Sequence, residues 1–405
     1  MAKRRVETLL TLAVVGAGLL IAAIAGLFGY MSLTAIPLHP NAESVPHAAQ
    51  SAPSPRWAGA VEQGRQILRA GLAEGNLPGL SVAVGIDGDI VWAEAFGFAD
   101  LEKRLPLTPN LRFRIGTAST ALTSAAAGLL LEKNQLKLDE EIQTYVPEFP
   151  DKQWPVTLRQ VMGHVGGIWN DGGDEAPLLS VHCDRTADAV RAVAKHPLVF
   201  QPGTDYRFSR YGWILVSRAI EAAANEPFLT FMQEQVFEPL KMADTRAESA
   251  TEEIPNRPTF YFPRFAANPR YGPDVIRPLD YSCYAGSSVF LSTPSDLVRF
   301  GMAVTSGTLL RPATVDLLQT SQRLASGKET GYGLGWDLET VTLAGQPTPV
   351  VGHDGDVLGG IAASLMTFRQ RGLVVAVVSN ISYADTFSLG VKLAEAFARQ
   401  EHAPQ

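Results

Sequence analysis

The sequence predicts an α/β fold: one antiparallel sheet built from both chain ends, flanked by helices, with a mainly helical region inserted between them and a transmembrane helix in front. Three observations lead there. β-rich runs flank Asp87-Gly88 early in the chain, a strong hairpin signal. Strand patterns return at 348–352, 360–368 and 372–380, while the middle carries helical patches. The chain opens with a run free of charge from Leu9 to Met31.

That run covers positions 9 through 31, 23 residues, and roughly 20 suffice to cross a bilayer. Lys3-Arg4-Arg5 precedes it, which predicts a cytoplasmic N-terminus and everything after the helix on the far side. A cleaved signal peptide is the alternative, but its apolar core is shorter and ends at a small-residue site. Tyr30-Met31-Ser32-Leu33-Thr34-Ala35 fits such a site poorly. The expected organisation is therefore an anchor over 1–34, a flexible tether over 35–56 and one domain over 57–400. The tether reading rests on a segment rich in Pro, Ala, Ser and His with no apolar period.

From Trp57, Val61, Ile67, Leu68 and Leu72 are spaced for one helix face that ends near Gly75. The hairpin over 79–98 follows. Next, Gly116 and the hydroxyls Thr117, Ser119 and Thr120 precede an uncharged run to Leu131, which reads as the start of a helix buried nearly all round. Such an N-terminus favours developing negative charge. The stretch 136–291 is loop-rich, with helices clearest at 158–162 and 212–224, and reads as the insertion. A last amphipathic helix occupies about 386–399. No internal repeat is present.

Composition narrows the function. With 46% hydrophobic and 19% charged residues the chain folds around a core. A net charge of −7 and the lack of a Lys/Arg-rich block exclude nucleic acid as a partner. The seven histidines show no HExxH or Cys/His ligand spacing, so neither a metal nor another cofactor is expected. The acidic loop 170–175 lacks EF-hand spacing and reads as solvated. Cys183 and Cys283 are expected as buried free thiols, with one bridge as the alternative in an oxidising compartment.

Several pieces now stand in a telling order: Pro78-Gly79-Leu80-Ser81-Val82-Ala83-Val84, Phe113-Arg114-Ile115-Gly116, Val156 to Ile168 with His164 inside it, Pro202-Gly203-Thr204, Ala285-Gly286-Ser287 with Leu291 to Leu297, Tyr332-Gly333-Leu334-Gly335-Trp336 and Gly352-His353-Asp354-Gly355. From Trp57 onward the chain resembles the serine β-lactamase and penicillin-binding-protein-like group, in its class C-like branch with D,D-peptidases and family VIII-type esterases. The resemblance implies a β-lactamase-like fold. It also implies an acyl-enzyme mechanism with a serine and lysine in S-x-x-K, a tyrosine and asparagine in Y-x-N, and a K-T-G or H-x-G strand. A bacterial inner-membrane protein with a periplasmic domain follows; secretion after signal cleavage is the alternative.

The chain departs from that pattern where chemistry is done. S-x-x-K is replaced by Thr117-Ala118-Ser119-Thr120, and Y-x-N by Phe208-Ser209-Arg210; only His353-Asp354-Gly355 matches. Thr117 reads either as a threonine nucleophile or, like Ser119, as a helix cap. Phe208 reads as packing. His353 is either a base or a hydrogen-bonded wall residue. Arg210 either meets a carboxylate- or phosphate-bearing ligand, pairs with an acidic neighbour such as Asp205, or turns to solvent. Two functions stand: a non-catalytic or weakly active relative binding an acyl or peptidoglycan-like ligand, or an active hydrolase of esters, amides or β-lactams through an acyl-enzyme at Thr117. The sequence leaves the oligomeric state open.

Overall fold

The structure is a computed structural model and describes residues 2–170, 177–252, 254–357 and 359–401. Helix α1 (Ala2–Leu33) leads. Strand β1 (His47–Ala49) and helix α2 (Ala58–Gly75) precede the hairpin of β2 (Gly79–Ile86) and β3 (Asp89–Asp100). Helix α3 (Ser119–Glu132) follows, then α4 (Leu158–Met162), α5 (Arg210–Ala224) and α6 (Pro294–Thr305). The C-terminal part supplies β4 (Asp337–Leu343), β5 (Gln346–Val357), β6 (Ile361–Phe368), β7 (Leu373–Ser379) and α7 (Thr386–Glu401).

The sheet runs β1-β3-β2-β7-β6-β5-β4, antiparallel throughout, and the short strand Leu105–Pro106 pairs with β3. The two chain ends meet where β2 pairs with β7, Ala83 opposite Ala376. Alternate residues of a strand face opposite sides. Val374, Ala376 and Val378 therefore pack toward the helical region, while Val375 and Val377 pack with Leu68, Leu72, Leu393 and Phe397 of α2 and α7. Both faces of β7 are covered, so its whole run is buried and hydrophobic. Helix α3 is enclosed by the helical region, with its first ten residues all buried, which suits a run without charge.

The segment 35–56 is not the free tether expected. His39 is buried and its Nε2 lies 2.9 Å from the Leu77 carbonyl, and β1 adds an edge strand to β3, His47 opposite Phe96. The physical reason lies in Glu94, a fully buried carboxylate on β3. It accepts from Arg65 Nε at 3.0 Å and Trp92 Nε1 at 2.8 Å, and His47 Nδ1 reaches it at 2.6 Å. A buried charge requires such partners, and the edge of β3 requires cover. The segment provides both.

The cysteines also differ from expectation: Cys183 and Cys283 form a disulfide across 100 residues of chain, linking the loop after Val181 to the turn Ser282–Tyr284. The Asp280–His182 contact at 2.7 Å and the Cys183 N–H bond to Ser282 Oγ at 2.9 Å hold the same two segments in register. Of the acidic loop considered as a cation site, 171–175 lies outside the described residues, and no cluster with metal-ligand character occurs among the described ones.

Candidate functional site

The site forms where the turn before α3 meets strand β5. Gly116 adopts φ +51°, and a Cβ there would come 2.6 Å from Ile361 Cγ2. A Cβ at Gly355 would come 2.0 Å from the Ile115 carbonyl oxygen. Gly116 is needed for its left-handed backbone and the crowding of Ile361, and Gly355 because strand and turn approach backbone to backbone. That contact delivers the H-x-G strand to Thr117.

Thr117 is nearly buried and its hydroxyl donates to the backbone carbonyl of Asp354 at 2.9 Å. It does not cap α3, and neither does Ser119; the first turn has no side-chain cap. Ser119 and Thr120 are fully buried, and among the described residues their hydroxyls have no hydrogen-bond partner.

His353 lies beside Thr117 but is turned from it. Its Nδ1 is 2.7 Å from the same Asp354 carbonyl oxygen, and its Nε2 is 3.0 Å from the Tyr332 hydroxyl. A carbonyl only accepts, so Nδ1 carries a proton, and in the tautomer with that single proton Nε2 accepts the Tyr332 O–H. Burial pushes Tyr332 well above the usual phenol value, with Asp337 and Tyr206 adding to it, so that hydroxyl stays a donor. The basic lone pair of His353 is therefore occupied.

Phe208 packs 4.5 Å from the ring of His164 and 6.4 Å from that of His353. Tyr206, two residues before it, has its ring 6.0 Å from that of Tyr332. Burial, then Asp337, raises its pKa, so it holds its proton near neutrality. The Asp354 carboxyl is pushed up to about 6, first by burial and further by Asp337 and Glu339. Its side chain, however, faces Ser364, whose hydroxyl bonds Thr386 of α7, on the opposite side of the sheet from His353.

Arg210 opens α5, capped by Ser209 Oγ accepting from Gly212 N–H. Its side chain is buried, with the guanidinium 5.5 Å from the ring centre of Tyr284, so it does not turn to solvent. Asp205 is exposed and accepts from the Tyr206 N–H. The structure thus brings together Thr117, His353, the Asp354 backbone, Gly355 and Phe208. Arg210 stacks on Tyr284 and the Asp354 carboxyl faces the other layer.

Sequence reasoning passed over Tyr332 and Tyr206 as actors, although Tyr332 lies in a motif already singled out. It also passed over the pair behind Gly116. Buried Arg114 bonds buried Glu248 at 2.7 and 2.8 Å, donates to the Gly359 carbonyl at 2.7 Å and lies 4.3 Å from the Phe260 ring centre; Arg257 also reaches Glu248 at 2.7 Å. The clue available was a charged residue alternating with apolar ones in Phe113-Arg114-Ile115.

His164 holds the site together from below. It has φ +59°, and its Nδ1 accepts from Ser209 N–H at 3.1 Å, so Nε2 carries the proton. Burial, with His353 second, lowers it from 6.5 to about 3. A histidine depressed in the folded state contributes stability that is present above about pH 6.5 and lost as pH falls toward 3. Asp354, raised, acts in the opposite sense below about pH 6. Asparagine tolerates positive φ and can accept the Ser209 N–H. Between pH 7 and 5 the wild type is expected to lose about 2 kcal/mol more than His164→Asn does. Urea unfolding of both at the two pH values checks this; equal losses would remove His164 as the source.

Comparison with known proteins places this geometry. Residues 65–398 match the family model described as "Beta-lactamase". The mouse (Mus musculus) serine beta-lactamase-like protein LACTB, mitochondrial, is 24% identical over 87% of this chain and 83% of its own length. Penicillin-binding protein 4* of Bacillus subtilis is 26% identical over 66% of this chain and 60% of its own. Among solved structures, the octameric penicillin-binding protein homologue from Pyrococcus abyssi superposes with a TM-score of 0.68 at 22% identity, covering 82% of this chain and 75% of that one.

Proposed function

This chain belongs to the beta-lactamase family, and we propose that it keeps the family's cleft as a binding site for an acyl or peptidoglycan-like ligand while lacking the acyl-transfer chemistry. One observation carries the reading. The Thr117 hydroxyl donates to a backbone carbonyl, which cannot take its proton, and the basic nitrogen of His353 is engaged by Tyr332. With Thr120 and Phe208 at the lysine and tyrosine positions, no group among the described residues is placed to activate the nucleophile. The helix N-terminus and the H-x-G strand remain as a frame that favours an acyl oxygen or carboxylate.

The same proposal covers location. The apolar run Leu12–Leu33 is long enough to span a bilayer as an uncleaved anchor, with the N-terminus in the cytoplasm and the domain outside. A disulfide in the domain suits an oxidising compartment such as the periplasm.

Incubating the full chain in detergent with a fluorescent penicillin or a fluorophosphonate is expected to give no covalent adduct. A peptidoglycan fragment is expected to raise its melting temperature. A stoichiometric adduct that disappears in Thr117→Ala would establish the alternative, an active hydrolase working through an acyl-threonine.

A further inference from the structure

We propose that the exit of α1 and the loop 264–272 together form a seat for the surface of the bilayer, recognising anionic phospholipid headgroups. The inference rests on reading α1 as an uncleaved membrane anchor. The apolar side chains described along α1 are largely uncovered by the domain, Leu19 being 68% and Ile21 67% exposed. Its last turn, by contrast, is gripped. Phe28 packs edge-to-face on Phe265 at 5.0 Å and on Tyr271 at 6.3 Å. Arg264 donates to the Met31 carbonyl at 3.2 Å and to Thr34 Oγ1 at 2.8 Å. Asn76 then takes the Leu38 N–H at 2.8 Å and donates to the Ile36 carbonyl at 3.1 Å.

No slack separates anchor from domain, so membrane depth is passed on rigidly. At 1.5 Å per residue the 23 uncharged residues Leu9–Met31 cover roughly 35 Å, against a hydrocarbon core of roughly 30 Å. Leu33 then lies at the boundary with water, and so does the loop that grips the turn before it. The loop has the composition of such a boundary. From Arg264 to Gly272 it contains two arginines, two aromatic residues and no acidic residue. Arg270 is exposed, lies 4.8 Å from the Tyr271 ring centre and donates to the Tyr271 hydroxyl at 2.7 Å, and Tyr30, Leu33 and Ile36 are exposed around the exit.

Ala266 and Ala267 both take left-handed backbone, φ +52° and +48°, and are exposed at the tip. L-residues avoid that conformation, so the turn is held in its projecting shape by its flanks. Continuity with the anchor selects the occupant. A surface wrapped around a clamped transmembrane helix meets lipid before any soluble partner, and the exposed Arg270 favours anionic headgroups. The seat also adjoins the site: Phe262, before the loop, packs on Tyr383, whose N–H donates to Asp356 at the end of β5 at 2.8 Å.

The test uses the full chain in vesicles of phosphatidylcholine with and without phosphatidylglycerol. An environment-sensitive fluorophore is placed at Ala267→Cys and, as control, at Gln135→Cys beyond α3, the native cysteines being paired. A quencher carried near the lipid headgroup is expected to quench position 267 several-fold more than 135, and more strongly with phosphatidylglycerol. Equal quenching at the two positions, or no response to phosphatidylglycerol, overturns the seat. Carbonate-resistant flotation of the same sample reads the anchor separately. A chain that fails to float loses the anchor and the seat together, whereas one that floats without selective quenching at 267 loses the seat alone.

Discussion

If the proposed reading holds, introducing three side chains together, Thr117→Ser, Thr120→Lys and Phe208→Tyr, is expected to turn a chain unlabelled by fluorescent penicillin into one labelled stoichiometrically. The backbone for acyl transfer is in place. Gly116 and Gly355 allow β5 to reach the turn, and the residue at 117 is already presented beside the strand. On the proposed reading, what the cleft lacks is a proton acceptor. Lysine at 120 and a phenol at 208 would supply one, and positioned general bases typically contribute ~10²–10⁴ in rate. Groups that act as a unit are not additive, so each single change is expected to stay dark. Gel fluorescence over time measures the adduct, and circular dichroism shows whether the variant folds. A folded triple variant without label would mean that the cleft differs in backbone placement and not only in its side chains.

Glu248→Gln is expected to cost about 3–5 kcal/mol of stability, the usual consequence of leaving a buried charge without its partner. Arg114 and Glu248 have side chains 7% and 4% exposed, so water does not substitute for the lost carboxylate. The change reaches the site as well, because Arg114 holds the Gly359 carbonyl in the connection between β5 and β6. Replacing both partners with methionine is expected to cost less than Glu248→Gln, since an apolar pair leaves no stranded charge. Urea unfolding of the two variants decides it. A loss below about 1 kcal/mol for Glu248→Gln would show that Arg114 finds other acceptors.

Where the physics is local, residues and structure agree closely. Asp87-Gly88 forms its hairpin between β2 and β3, and α3 is buried as its lack of charge requires. The order of motifs leads to the family the comparison finds. The residue types at Thr117, Thr120 and Phe208 are equally plain in the sequence, because it takes no coordinates to see that none of them is a lysine or a phenol. Cap chemistry was less dependable: Thr117 has the residue type of a cap, yet its hydroxyl goes to a strand more than 200 positions away.

The features that escaped are those in which one partner says nothing about the other. His47 and Glu94 look unrelated until β1 docks on β3, and the docking satisfies a buried carboxylate that no periodicity reveals. Cys183 and Cys283 carry no pairing information across 100 residues; closing that loop requires the folded segments around Asp280 and His182. The occupation of His353 by Tyr332, and the turning of Asp354 to the opposite layer, follow from strand register and side-chain direction. Composition and pattern thus lead to the family and the sheet from both chain ends. Which donor meets which acceptor, and so whether the remaining hydroxyl and imidazole can cooperate, depends on long-range packing that brings distant groups to within 3 Å.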